Sequence, residues 1–515
     1  MPEPRAKLDR RPVIFGCGAA FADAGQADPA RVGAKGASLV RMAGLGLAVP
    51  PGFVLPVALC RRIAEGLDPE PILAEGLADI AAFTGRTFAS DLPLLVSVRS
   101  GAAISMPGMM DTILDVGATR EATALIARET DEAFALDCRR RYLTSYAINV
   151  LGRPRGPFDE AEEEAADAAE LVRRCETLAG DVPDDAVASL VASVRAVIAS
   201  WDGERARQFR TIEGLKGEGT AVVVQAMVFG NRDARSATGV ARTRDPATGE
   251  ARLHGDYLAR AQGEDVVDGF HTPKPLTRAE GDGSFEAWLP GAFDALAEGA
   301  RAIEANMRDG VEIEFTVESG QVWFLQARAM KRTVTEAVRI AVAMAQEGVI
   351  DRDEALARAD PQRAAATLTP ELAPGQRLDM IARGTAASAG VASGRVVLSS
   401  RAALEAREPV ILVRGETDPS DVAGIDAAAA VLTARGGRTS HAASVAVARG
   451  KPCVTGAGTV TIGEGGFETL GRRFSEGDEI TVDGTRGCVY AGRLETVTPE
   501  PDGKLRTLLE WAGKG

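Results

Sequence analysis

Hydrophobic and polar positions divide the chain into stretches of different period. Through residues 1 to about 335, short runs rich in branched and aromatic residues (LLVSVRS, AVVVQAMVFG, EIEFTV, QVWFLQAR) alternate with stretches whose apolar residues recur every three or four positions. The first pattern predicts strands and the second helices, so this part predicts one large α+β unit. Within it, residues 158–201, from FDEAEEEAADAAELVRR to SVRAVIASW, predict two helices of good helix formers, inside a helical subdomain spanning about 115–205. TEAVRIAVAMAQEGVI then closes the unit as a strongly amphipathic helix.

From 336 to 385 the chain is rich in alanine, arginine and proline (ARADPQRAAATLTPELAPGQ), helical propensity that prolines interrupt. That composition predicts an interdomain linker. Residues 386–497 alternate β-like runs (GRVVLSS, PVILVRG, AAVLTA, KPCVTG, EITVDG, CVYAG) with one or two short helices, a compact βα domain. Residues 498–515, containing PEPDGKLRTLLEWAGKG, form a tail with one more short helix. No internal repeat of 20 to 50 residues is present.

Composition narrows the class. With 515 residues, 45% hydrophobic and 26% charged, the chain is long enough for several folded domains with sizeable cores. A net charge of −14 opposes nucleic acid or an anionic membrane as the main partner. The six cysteines (Cys17, Cys60, Cys138, Cys175, Cys453, Cys488) include no CxxC pair and have no nearby histidine, which fits a reduced compartment and no zinc site. The first residues carry charges without an apolar run of signal length, and no stretch of about 18 apolar residues occurs. The expected location is cytoplasmic.

Candidate chemistry begins at GGRTSHAASVAVARG, residues 436 to 450. Gly436 and Gly437 follow the strand-like AAVLTA and permit close approach of another backbone or a ligand. Thr439 or Ser440 is the predicted N-cap of the helix that follows, which puts His441 in its first turn. Free N–H groups and the positive end of the helix dipole favour an anion there. A neutral imidazole in that place suits phosphoryl transfer, and equally a capping histidine that only bonds nearby backbone.

Three further segments carry charge in glycine-rich or strand settings. Lys35 sits between Gly33 and Gly36 in VGAKGASLVRMAGLGLAVPPGFVL, a glycine turn that lacks the GxxxxGK[ST] pattern of a P-loop. LLVSVRSGAAISMPGMMDTILDVG leads a strand through Arg99 into a glycine- and methionine-rich loop. DGVEIEFTVESGQVWFLQAR predicts a hairpin around Glu318-Ser319-Gly320, with Glu312 and Glu314 on one strand face, Ile313, Phe315 and Val317 on the other, and Gln326 and Arg328 sharing a face of the partner strand. Two carboxylates at this spacing serve as oxygen ligands for Mg²⁺ or as an exposed face with incidental ion pairs.

Taken together, GGRTSHAA followed by KPCVTG, the Lys35 segment, the Arg99 loop, the hairpin and SATGVARTRDPATGEARLHGDYLARAQGEDVVDG resemble the pyruvate phosphate dikinase and phosphoenolpyruvate synthase family, nearly end to end from Gly33 to Trp511. The resemblance implies an α+β and α/β multidomain fold: an ATP-grasp nucleotide-binding domain over 1–335 and a swivelling β/α phosphohistidine domain over 386–497. It implies that His441 carries the phosphoryl group, that Gly437 lets the group approach, and that Thr439 lies beside it as a position some dikinases phosphorylate for regulation. By the same resemblance Lys35, Arg99, Glu314, Gln326 and Arg328 contact ATP, and Glu312 and Glu314 hold Mg²⁺. Gln262, Glu264 and Asp265 are expected in a loop facing the same cleft, and His254 and His271 as structural or surface residues.

Several positions depart from the family. Glu312 stands where aspartate is usual, and Arg242 where an aromatic residue is common. Ser444 replaces an aliphatic residue, and Val447 stands where an arginine is expected, leaving Arg449 as the candidate cation to compensate. The family's C-terminal (β/α)₈ barrel, which binds pyruvate and phosphoenolpyruvate, is not in this sequence. The expected activity is Mg²⁺-dependent transfer of the ATP β-phosphoryl to His441, yielding AMP and, with phosphate, pyrophosphate, in the presence of a monovalent cation such as NH₄⁺ or K⁺. The final acceptor is pyruvate on a separate barrel chain or another molecule. The alternative is a non-catalytic nucleotide-binding or regulatory protein.

Overall fold

The computed structural model describes residues 12–16, 27–104, 110–212, 214–215, 217, 219–266, 273–417, 419–437 and 440–513. The chain forms two compact units, the first from Met1–Asp245 and Glu250–Lys331, the second from Pro246–Gly249 and Arg332–Gly515.

Two antiparallel sheets build the first unit. One contains β1 (Val13–Phe15), β2 (Gly52–Leu55), β3 (Val96–Gly101), β4 (Thr112–Val116) and β5 (Ala221–Ala226) in the order β1-β2-β5-β3-β4. The other contains β6 (Ala237–Arg242), β7 (His254–Ala259), β8 (Lys274–Pro275), β9 (Val311–Glu318) and β10 (Gln321–Ala329) in the order β10-β9-β6-β7-β8. Strand alternation splits the first sheet between two cores. Phe53, Leu55, Val222 and Val224 pack with Tyr142, Leu190 and Val194 of the helical subdomain. Their neighbours Val54 and Val223 pack with Leu39, Phe315 and Phe324, towards the second sheet. Burial on both faces explains why β5 reads as a continuous apolar run from Ala221 to Val224. Emptying this second core by Phe315→Ala costs about 3–5 kcal/mol.

The helical subdomain holds three helices where two are predicted over 158–201: Gly156–Glu164, Ala168–Ala179 and Ala186–Ser200. The backbone turns extended at Ala165, with ψ 133°, and Asp167 starts the next helix by accepting the Glu170 N–H at 2.8 Å. A strong N-cap thus outweighs the helical propensity of the alanines around it. Ala186–Thr211 is the one described stretch helical, long and apolar enough to cross a membrane, with mean hydropathy 1.2. Its Leu190, Val194 and Val197 are completely buried in the protein core.

The second unit begins earlier than the predicted linker allows. Helix Val334–Gln346, expected to close the first unit, buries Val338 and Ile340 to Met344 in the second. It packs against helices Arg352–Arg358, Pro361–Ala365 and Gly503–Trp511, so most of the supposed linker and the tail form a small helical layer. Thr333 and Glu336 fix its start with a reciprocal capping box.

Next come β11 (Glu371–Leu372), β12 (Met380–Arg383), β13 (Thr385–Ser388), β14 (Val391–Val397), β15 (Val410–Arg414), β16 (Ala430–Thr433) and β17 (Cys453–Thr455). The three-stranded sheet β18 (Thr461–Gly463), β19 (Gly466–Thr469) and β20 (Arg472–Ser475) follows, then β21 (Glu479–Asp483), β22 (Cys488–Ala491) and β23 (Thr496–Val497). Eight of these strands form one mixed sheet in the order β12-β22-β21-β14-β15-β16-β17-β13, parallel from β14 to β17. Helix His441–Arg449 is the crossover between the parallel strands β16 and β17.

Candidate functional site

Helix Pro29–Gly44 starts at Asp28, whose side chain accepts the Ala30 N–H, and bends at Gly33, where φ is 73°. A side chain at Gly33 is impossible, since a Cβ there would lie 1.9 Å from the Gly101 carbonyl oxygen. The bend brings the Ala34 N–H to the Ala102 carbonyl at 2.8 Å and so joins the helix to the end of β3. Further along, Ser38 Oγ donates to the Ala327 carbonyl at 2.8 Å and accepts the Ala327 N–H at 2.9 Å, fixing the same helix to β10. Lys35 is therefore held between the strand that carries Arg99 and the strand that carries Gln326 and Arg328.

The hairpin follows its predicted form. Ser319 and Gly320, with φ of 51° and 88°, make the two-residue turn, and the register sets Gln326 opposite Glu314 and Arg328 opposite Glu312. Ile313, Phe315 and Val317 are buried on the other face. A bulge between Phe324 and Gln326 adjusts the strand just before the polar pair.

Lys35 lies within electrostatic reach of Arg99, Glu314 and Arg328. Burial first, then Arg99 and Arg328, push the Lys35 ammonium down to about 7, while Glu314 opposes them. Arg99 Nη2 lies 3.8 Å from Glu314 Oε2, and Arg99 Nε is buried with no hydrogen-bond partner among the described residues. A buried ammonium depressed by two guanidiniums, with an unspent Arg99 N–H beside it, is an arrangement that an anion would relieve.

Glu312 is placed differently from Glu314. Its Oε1 accepts Arg328 Nε at 2.9 Å and Nη2 at 2.5 Å, and its Oε2 accepts Arg242 Nε at 3.1 Å. These guanidinium groups hold its carboxyl below the ordinary range against the opposing effect of burial. Among the described residues no cluster of three or more His, Cys, Asp or Glu is arranged to hold a metal. Mg²⁺ fits the site only where a carboxylate such as Glu314 is joined by nucleotide phosphate oxygens, a ligand set this ion favours.

The predicted loop residues have other partners. Asp265 takes two bonds from Arg141, at 3.0 and 2.8 Å, Glu264 also pairs with Arg141, and buried Gln262 meets the Gly230 N–H and Val228 carbonyl. These contacts tie the loop to helix Glu132–Asn149, which carries Arg141. Asp115 lies deeper, completely buried, with φ of 52° and neither carboxyl oxygen bonded among the described residues. Burial raises its pKa well above the usual carboxylate value. His254 pairs with Glu280 at 2.5 Å. Ser105 to Met109 of the methionine-rich loop, and His271, lie outside the described residues.

In the second unit His441 is the first residue of helix His441–Arg449, and Ser440, not Thr439, is the N-cap, accepting the Ala443 N–H at 3.4 Å. Thr439 itself lies outside the described residues. The turn requires glycine at 436, where φ is 106° and a Cβ would meet Ser440 at 2.9 Å, whereas a Cβ at Gly437 meets nothing within 4 Å.

Sequence reasoning missed Thr417, whose Oγ1 is 3.3 Å from His441 Nδ1. If Nδ1–H donates to that hydroxyl, the lone pair is on Nε2, the outward nitrogen. A residue in the loop after β15, 24 positions away, gives no local signal. Arg449 does not replace the missing arginine at 447: eight residues place it about 12 Å along the helix from His441, where it pairs with Asp426 at 3.6 Å. Val447 is exposed.

A nucleotide-binding unit of two antiparallel sheets, joined to a unit whose histidine opens a helix, defines an ATP-grasp protein with a mobile phosphohistidine domain. The family models agree: residues 69–287 match the pyruvate phosphate dikinase AMP/ATP-binding domain, and 406–487 the mobile domain of PEP-utilising enzymes. The chain is 40% identical to a pyruvate, phosphate dikinase of Rhizobium meliloti, over 97% of its own length and 60% of the relative's. It is 38% identical to pyruvate, phosphate dikinase 1, chloroplastic, of Arabidopsis thaliana (99% and 56%) and to the Clostridium symbiosum dikinase (94% and 59%). The chain is thus similar to pyruvate phosphate dikinases and spans 60% or less of the length of these curated relatives.

Proposed function

We propose that this chain carries out the nucleotide half of a dikinase reaction. The first unit binds ATP, with Lys35, Arg99, Gln326 and Arg328 on its phosphates and Mg²⁺ held between those phosphates and Glu314. His441 attacks the β-phosphorus through a ring nitrogen. The bond from that phosphorus to the α-phosphate bridging oxygen breaks and AMP leaves, while phosphate takes the γ-phosphoryl as pyrophosphate. Bound Mg²⁺ would neutralise charge developing on the phosphoryl oxygens. The chain's own residues orient the triphosphate and offset its charge, which is most of what phosphoryl transfer requires.

The observation that carries this reading is the Lys35 ammonium, pushed down to about 7 by burial and then by Arg99 and Arg328, with Arg99 itself 3.8 Å from Glu314. Ground-state repulsion among the three cations is relieved when a polyphosphate enters. The phosphoryl group then passes from His441 to pyruvate, the acceptor in the relatives' names.

The test is incubation of the chain with β-labelled ATP, Mg²⁺ and K⁺ or NH₄⁺, with and without phosphate, beside His441→Ala. Acid-labile label on the wild type alone, with AMP formed, is the expected result. ATP binding without any label would leave a nucleotide-binding or regulatory protein and end the catalytic reading.

A further inference from the structure

The register of the second sheet aligns a row of side chains that the sequence does not reveal. Arg328 on β10 faces Glu312 on β9, Glu312 faces Arg242 on β6, and Arg242 faces His254 on β7, itself paired with Glu280. Directly opposed residues share a face, so the row is positive, negative, positive across three adjacent strands. Glu312 stands in its middle, its side chain 11% exposed, with one oxygen taken by each guanidinium. Glu314, two residues on, has a side chain 31% exposed, and its one described ion pair is the looser 3.8 Å contact with Arg99.

We propose that Arg242 is a positioning residue of the nucleotide site. By engaging Glu312 Oε2, it keeps that carboxylate as the anchor of Arg328 and withholds it from the metal, which leaves Glu314 as the single carboxylate ligand. This rests on the nucleotide reading above and deepens it. The geometry favours it because coordination by Glu312 would require breaking a charge-assisted bond to Arg242, to Arg328, or to both. It also gives Arg328 a fixed direction: a guanidinium held through Nε and one Nη turns its remaining N–H groups outward as a preset fork for phosphate oxygens.

The experiment is calorimetric titration of ATP into the full chain with and without Mg²⁺, together with Mn²⁺ paramagnetic resonance in the presence of ATP. It compares wild type with Glu312→Gln, Glu314→Gln, Arg242→Ala and the Arg242→Ala/Glu312→Gln double variant. Arg242→Gln, which keeps a donor without charge, is read in parallel, and circular dichroism melts check folding. Glu314→Gln is expected to lower the Mg²⁺ enhancement of ATP affinity about tenfold. Glu312→Gln should weaken ATP about tenfold equally with and without Mg²⁺, leaving the enhancement within about twofold. Arg242→Ala should raise Mn²⁺ affinity by freeing Oε2, Arg242→Gln should raise it less because its amide still donates, and the double variant should lose that gain.

Loss of the enhancement in Glu312→Gln as complete as in Glu314→Gln overturns the proposal, as does an Arg242→Ala chain with unchanged ATP and Mn²⁺ affinities. Wild type that binds ATP without any Mg²⁺ enhancement overturns it too, while the nucleotide reading stands. Wild type that binds no ATP overturns both.

Discussion

The two regions that carry chemistry are built in opposite ways. Around Lys35, charge is crowded and fixed: sheet register sets Arg328, Glu312 and Arg242 side by side, and a bent helix holds an ammonium among guanidiniums. Around His441, there is one hydroxyl at 3.3 Å, a capping serine and an open glycine. A site that must grip a tetra-anion gains from preset cations, whereas an acceptor that must give its cargo away gains from few ties. On the proposed reading, the difference gives binding to one unit and transfer to the other.

That division can be broken most sharply at His441. The His441→Ala chain should form no phosphoryl-enzyme at all while its calorimetric ATP affinity stays within about twofold, and a large loss of affinity would merge the two roles. Lys35→Met should act the other way, weakening ATP about 10- to 100-fold. It should also remove a proton. Because Lys35 is pushed down to about 7, it is largely neutral above that pH in the free chain, and bound phosphates restore its charge. ATP binding at pH 8 should therefore take up close to one proton, seen as a dependence of the binding enthalpy on buffer ionisation, and Lys35→Met should take up none.

Thr417→Val tests the sparse site. Loss of the hydroxyl that orients His441 Nδ1 should slow labelling about tenfold with no change in ATP affinity. The smallest effect is expected at Asp115, behind the crowded site. Its folded pKa is raised, so the folded state holds a proton that the unfolded chain releases, and stability falls as pH rises from the ordinary carboxylate value toward the folded one. Asp115→Asn keeps the shape and tolerates the left-handed backbone. It should raise the melting temperature by a few degrees at pH 8 and by less at pH 5, and an equal shift at both would show that Asp115 is ionised in the fold.

Local features were legible in the sequence and distant ones were not. The β9–β10 hairpin, its turn and its polar face follow from period-two alternation around Ser-Gly, and the helix start at His441 from the hydroxyl residues before it. Arg242 was visible as a residue type, but its partner Glu312 lies 70 positions away and is set by strand order. Thr417 was hidden for the same reason. Helix Val334–Gln346 was recognised and given to the wrong unit, because amphipathic spacing shows that a helix has a buried face and not what covers it.

The contact between Gly33 and Gly101 limits how this protein can change over time. The Gly101 carbonyl fills the space a side chain at 33 would need, and that space belongs to the same junction that ties the Lys35 helix to β3. No single substitution at 33 is tolerable, and no second change can rescue one, because the obstructing atom is backbone and every residue has it. In a random library selected for ATP binding, position 33 should remain glycine in every survivor, while the charged row on the second sheet, made of side chains alone, stays free to drift by paired exchange.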